Sequence, residues 1–94
     1  MTHIKNTYSD TGQKSLIKIL PQNLGENLFT VSAGADDVYT IEIQLHEDSE
    51  RIELPTYDNL NGDTLGRLPS QCYGVGINIT TNTSGSIILD TVFA

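Results

Sequence analysis

The chain reads as an all-β protein, a single-domain antiparallel β-sandwich or jelly-roll-like barrel, and three observations carry that expectation. Apolar and polar residues alternate with period two through Val38–His46 and again from Tyr73 to Thr80. No window longer than about ten residues keeps helical spacing free of Gly or Pro, and β-branched residues are abundant. Clusters of Gly, Asn, Asp, Ser and Pro recur between the apolar runs, which suits a sandwich better than a βαβ fold.

In chain order, His3–Thr7 is expected as a short strand or arm, followed by the polar turn Ser9-Asp10-Thr11-Gly12. Leu16–Leu20 is a compact apolar run stopped by Pro21, and its length favours a strand over a helix. Gln22–Asn27 has loop chemistry around Gly25. Leu28–Ala33 follows as a strand with Phe29, Val31 and Ala33 on one face, and Gly34-Ala35-Asp36-Asp37 turns the chain. In Val38–His46, Tyr39, Ile41, Ile43 and Leu45 are expected to face a core, with Thr40, Glu42, Gln44 and His46 in water. Arg51–Leu54 is a shorter extended piece ended by Pro55. The run Pro55–Gln71 is read as a long crossover loop with one helical turn around Asn61–Leu65, or as an interaction loop. From Cys72 to the last residue, two strands are expected, joined by the tight polar turn Thr81–Gly85.

Composition excludes several functions. The 94 residues suit one domain, and 12 acidic against 5 basic residues give a formal charge of −7, which disfavours nucleic acid and anionic membrane surfaces as partners. The run His46-Glu47-Asp48-Ser49-Glu50-Arg51 is read as a solvated strand end and turn. A single cysteine, Cys72, rules out an internal disulfide and is expected as a half-buried thiol at a strand start. No apolar run has the length of a membrane span, and the N-terminus lacks the apolar core of a signal peptide, so synthesis in the cytoplasm is expected.

Candidate chemistry is sparse. Asn59, Asn61 and Asp63 have the oxygen spacing that opens a calcium loop, but Thr64 replaces the turn glycine and Ser70 the closing glutamate. His3 and His46 are read as surface residues, Asp36-Asp37 as hairpin-turn chemistry, and the hydroxyl and amide ribbon Asn78, Thr80–Ser84 as a solvated surface. With no phosphate cradle, nucleophile elbow or Cys/His cluster, the expectation is no enzyme and no cofactor.

The ending Gly76–Asp90, rich in Thr, Asn and Gly and low in charge, resembles small bacteriophage virion proteins, in particular capsid decoration or accessory proteins. That resemblance implies a non-catalytic β-sandwich or jelly-roll module, often trimeric, residing in the virion and binding capsid or other virion proteins. The corresponding expectation is a homo-oligomer, with a trimer favoured. Tyr57, Leu60, Leu65 and Arg67 are the chosen partner-binding residues, because aromatic, aliphatic and Arg anchors dominate interface energetics. The alternative expectation is a carbohydrate-binding module of an adhesin or host-recognition apparatus, stacking sugars on Tyr57 or Tyr73.

Overall fold

The period-two runs do what their alternation demands: they pair into ladders whose apolar sides meet. The structure, a computed structural model, describes residues 2–19, 27–69 and 72–93. In chain order its strands are β1 (Thr2–Tyr8), β2 (Gly12–Gln13), β3 (Ile17–Lys18), β4 (Asn27–Ser32), β5 (Val38–Gln44), β6 (Ile52–Glu53), β7 (Leu60–Asn61), β8 (Thr64–Leu68), β9 (Gly74–Thr81) and β10 (Ile87–Phe93), with one 3-10 turn at Pro55–Tyr57. The first sheet has the order β1-β10-β4-β8. The second has β2-β9-β5-β6, with β3 also on β9 and β7 also on β5. Every described pairing is antiparallel.

One core lies between the sheets. Phe29, Val31, Ile87 and Leu89 project from the first sheet, and Tyr39, Ile41, Ile43, Val75, Ile77 and Ile79 from the second; Ile17, Ile19, Leu68 and Cys72 extend the cluster. Each such side chain contributes about 1.5–3 kcal/mol by leaving water.

Several expectations change. β9 and β10 are not neighbours in one sheet: the turn between them is an arch from the second sheet to the first. The Gly34–Asp37 turn is likewise an arch, carrying β4 into β5. The Pro55–Gln71 stretch is not a loop. Its helical turn sits at Pro55–Tyr57, and β7 and β8 occupy half of the remainder. Leu20, Pro21, the Gln22–Glu26 part of the expected loop, Ser70 and Gln71 lie outside the described residues. Cys72 is buried, just ahead of β9, and burial raises its thiol pKa. Leu45 lies past the end of β5 and is exposed.

The outer side of β5 is also covered. Thr40, Glu42 and Gln44 are buried because polar side chains and turns close over them. Gln13 Nε2 donates to Glu42 Oε1 at 3.0 Å, Thr40 donates to Asp58 at 3.0 Å, and Gln44 Nε2 donates to the carbonyls of Glu47 and Ser49. Arg51 folds back from the acidic turn onto this face. Its Nη2 lies 2.8 Å from Glu42 Oε1, and its Nη1 donates to the Lys14 carbonyl at 2.5 Å. The guanidinium occupies the space where a Cβ on Gly76 would stand, which explains a glycine in the middle of a long strand.

Four connections cross between the sheets at one end of the molecule: β1–β2, β4–β5, β7–β8 and β9–β10. Asp37, fully buried, fastens them. Its Oδ1 accepts from the Thr83 amide (2.7 Å), the Thr83 hydroxyl (3.0 Å) and the Ser84 amide (3.0 Å); its Oδ2 accepts from the Gly34 amide (2.7 Å) and the Ser84 hydroxyl (2.5 Å). The β7–β8 arch joins through Asn61 Nδ2 to the Asp37 carbonyl and the Gly62 amide to the Gly34 carbonyl, each 3.1 Å. Gly62 takes the left-handed φ of +65° that this corner requires. Tyr39 reaches the same corner from the core, donating to the Gly62 carbonyl at 2.6 Å. Asn82 ties in the β1–β2 arch through the Tyr8 and Asp10 carbonyls.

Two predictions follow from these fastenings. The donors around Asp37, foremost the Ser84 hydroxyl, hold its carboxyl well below the usual carboxylate range. Because the folded value lies below the unfolded one, its stabilisation is complete above about pH 4 and is lost as pH falls towards the folded value. Urea midpoints measured against pH should therefore show a steep acid limb for the native chain and a flatter one for Asp37→Asn, which starts less stable at neutral pH. Removing the Arg51 guanidinium strands Glu42 under its polar cover, so Arg51→Ala should lower stability by about 1.5–3 kcal/mol in the same assay. The double change Glu42→Met/Arg51→Met should recover much of that loss.

Candidate functional site

β8 is the outermost strand of the first sheet and, among the described residues, pairs only with β4. Its register sets Thr30 opposite Leu65, Phe29 opposite Gly66, and Leu28 opposite Arg67. Alternation then sends Leu65 and Arg67 outward beside Leu28, and turns Gly66 and Leu68 inward beside Phe29. The pattern is inverted: an aliphatic side chain is in water and a glycine is in the core.

The reason is Tyr57. The Pro55–Tyr57 turn carries its ring over the sheet edge to meet Phe29 edge-on, with centroids 5.0 Å apart at 84°. A Cβ on Gly66 would come within 2.6 Å of the Tyr57 ring and 2.7 Å of the Phe29 ring. Glycine makes room for the pair, an arrangement worth about 0.5–1.5 kcal/mol beyond burial.

A groove of about 420 Å³ results, lined by Leu28, Tyr57, Leu65, Gly66 and Arg67. Three of the four residues chosen from sequence line it: Tyr57, Leu65 and Arg67. Leu60 does not; it lies in β7 on the second sheet, half-buried against the core. Arg67 also has an interaction of its own within the chain. Beyond the groove, the outer face of the first sheet presents half-buried Ile88 and Val92, exposed Lys5, and His3 bridged to Asp90. This is a mixed surface of aliphatic, hydroxyl and charged side chains, with Thr7, Thr30 and Ser32 exposed among them.

The other candidates are occupied by structural tasks. Asp63 Oδ1 accepts the Ala33 amide at 3.0 Å, Asn61 is bound to the Asp37 carbonyl, and Asn59 takes a φ of 51° with its amide on the Thr40 hydroxyl. The calcium-like spacing is therefore an arch and its approach. His3 in β1 and His46 past the end of β5 belong to different sheets. In the polar ribbon, Thr83 and Ser84 are spent on Asp37, and Asn82 Oδ1 accepts the Gly85 amide at 3.0 Å. Among the described residues no group of three or more His, Cys, Asp or Glu side chains converges as metal ligands, and no helix is long and apolar enough to cross a membrane.

Reasoning from sequence did not single out Gly66 or Leu28, and it placed Asp37 in a turn without its burial. The one available signal was Thr-Leu-Gly-Arg-Leu, a strand-length segment whose glycine breaks an otherwise extended run. Comparison with protein-family models, curated proteins and solved structures returned no match.

Adding one methyl group should collapse the groove wall. Gly66→Ala is expected to push Tyr57 and Phe29 apart and cost about 1–3 kcal/mol by denaturant unfolding. Leu65→Ser, on the exposed side of the same strand, should stay within about 0.5 kcal/mol of the native chain.

Proposed function

We propose that this chain is a non-enzymatic structural protein that acts by docking, an accessory component of the capsid-decoration kind in a bacteriophage particle. On this reading it self-associates and seats on other virion proteins through the outer surface of its first sheet. The observation that carries the reading is the groove along β8, where an aromatic ring, two leucines and a guanidinium border the edge of a sheet. Such groups are the usual anchors of protein interfaces, and an edge strand adds main-chain donors and acceptors for a partner segment.

A second support comes from how the polar residues are employed. Asp37, Asn61, Thr83 and Ser84 in the arches, and Gln13 and Glu42 over β5, are tied to one another or to the backbone, so much of the polar chemistry is spent on rigidity, buried Asn27 being an exception. The β-sandwich, the acidic charge and the Thr/Asn-rich ending agree with the virion resemblance.

Co-sedimentation with phage particles assembled without this chain tests the reading. The native protein should pellet with the particles in saturable fashion, and Leu65→Asp should reduce the bound fraction while leaving the urea midpoint in place. A native protein that stays in the supernatant at every concentration would overturn it.

A further inference from the structure

Asn61 is the one asparagine of the chain followed by glycine, and no aspartate is; the other asparagines precede Thr, Leu or Ile. The pair forms the corner where β7 leads into β8. Asn61 is exposed and Gly62 half-buried, and nothing lies within 4 Å of where a Cβ on Gly62 would stand. The Gly62 nitrogen therefore has no side chain of its own to shield it.

The reaction open to such a pair is ring closure. The Gly62 nitrogen, once it has given up its proton, attacks Asn61 Cγ. The new N–Cγ bond forms as the Cγ–Nδ2 bond breaks, and the side-chain nitrogen leaves as ammonia. Water then opens the succinimide at either carbonyl, giving aspartate, or isoaspartate with the side-chain carbon in the main chain. Overall an amide and a water become a carboxylate and ammonium, with nothing oxidised or reduced.

Both reacting nitrogens are fastened. The Gly62 amide donates to the Gly34 carbonyl, and Asn61 Nδ2 donates to the Asp37 carbonyl, each at 3.1 Å. Both bonds join the β7–β8 arch to the β4–β5 arch. The imide nitrogen carries no hydrogen and the ammonia takes Nδ2 away, so neither bond survives ring closure. The intact corner opposes the reaction, and the reaction undoes the corner. After water adds, the Gly62 N–H returns, but the Asn61 donor does not. A carboxylate then faces the Asp37 carbonyl oxygen, in a chain already at −7.

We propose that Asn61–Gly62 is a site of spontaneous deamidation that the folded corner holds shut, and that its product releases the β7–β8 arch from the β4–β5 arch. Reaction proceeds from the molecules whose corner is open, so its rate reports local opening. The inference is independent of the docking reading above.

Peptide mass mapping of the full chain tests it, during incubation at mildly alkaline pH with and without enough guanidinium chloride to unfold the protein. The Asn61 peptide should exchange the mass of NH for that of oxygen, with an isoaspartate fraction, about tenfold or more slowly in the folded chain than in the unfolded one. Asp63→Ala removes a third bond between the same arches, from Asp63 Oδ1 to the Ala33 amide, at an exposed position. Its folded rate, divided by its own unfolded rate, should rise several-fold over the native ratio. Asn61→Asp supplies one product uniformly: its urea midpoint should fall, and its Gly62 amide should exchange with deuterium faster than in the native chain. Equal rates in the folded and unfolded native chain, no deamidation in either, or a native ratio in Asp63→Ala overturns the proposal. An Asn61→Asp chain whose Gly62 amide exchanges like the native one overturns it as well.

Discussion

The buried carboxylate of Asp37 is the constraint on which the sandwich depends. Removing an ionised carboxylate from water is costly unless its lone pairs are filled, and here five donors from two arches fill them. Those donors are 46 and 47 residues away in sequence, or three residues away across the arch. The network therefore forms only when both sheets are in place. It acts as a registration point: with the arches locked, β4 and β5 leave at a fixed separation, and the alternating side chains of each sheet meet their counterparts. Asn61, Gly62 and Tyr39 then bring the third arch to the same point, which delivers β8 to the outer edge of the first sheet. The groove is a downstream product of this fastening.

How much of this was legible follows from what period two can and cannot encode. In β4, β5, β9 and β10 most inward positions are large and apolar, with Asn27 and Thr91 the polar exceptions, so strand and facing could both be read from spacing. β8 fails the same test because its inward positions hold a glycine and a leucine and its outward ones a leucine and an arginine. The space that a side chain would fill at Gly66 belongs to Tyr57, nine residues earlier, and a one-dimensional pattern does not show a loan of volume between elements. The outer face of β5 misled for a related reason. Thr40, Glu42 and Gln44 are polar as a solvated face would be, yet they are polar because Arg51, Gln13 and Asp58 lie over them. Polarity reports the presence of hydrogen-bonding partners and is silent on whether those partners are water or protein. The choice of Tyr57, Leu60, Leu65 and Arg67 came from residue type alone; three of them line one groove, and Leu60 lies in β7 against the core.

The two sheets divide their labour. The second is sheltered on both sides, by the core within and by the polar layer around Glu42 and Arg51 without. The first is sheltered on one side, and its other side carries the half-buried Leu28, Ile88 and Val92 together with the groove. Over the second sheet lies a layer of polar side chains bonded largely to one another, with Arg51 Nε buried and without a hydrogen bond, whereas the outer side of the first sheet meets water. The asymmetry makes the two outer faces chemically different.

The pairing of β1 with β10 has a practical corollary. Thr2 stands opposite Phe93 in the register, so the first and last strands lie side by side and run in opposite directions. Neighbouring strands are about 5 Å apart, a gap that a few flexible residues can bridge. Tying those two positions together and cutting the backbone at the exposed Glu47–Asp48 peptide would rewire the order of the chain while preserving the ten described strands. Cargo displayed from such a rearranged molecule would emerge from the acidic turn between β5 and β6, away from the β1–β10 ladder.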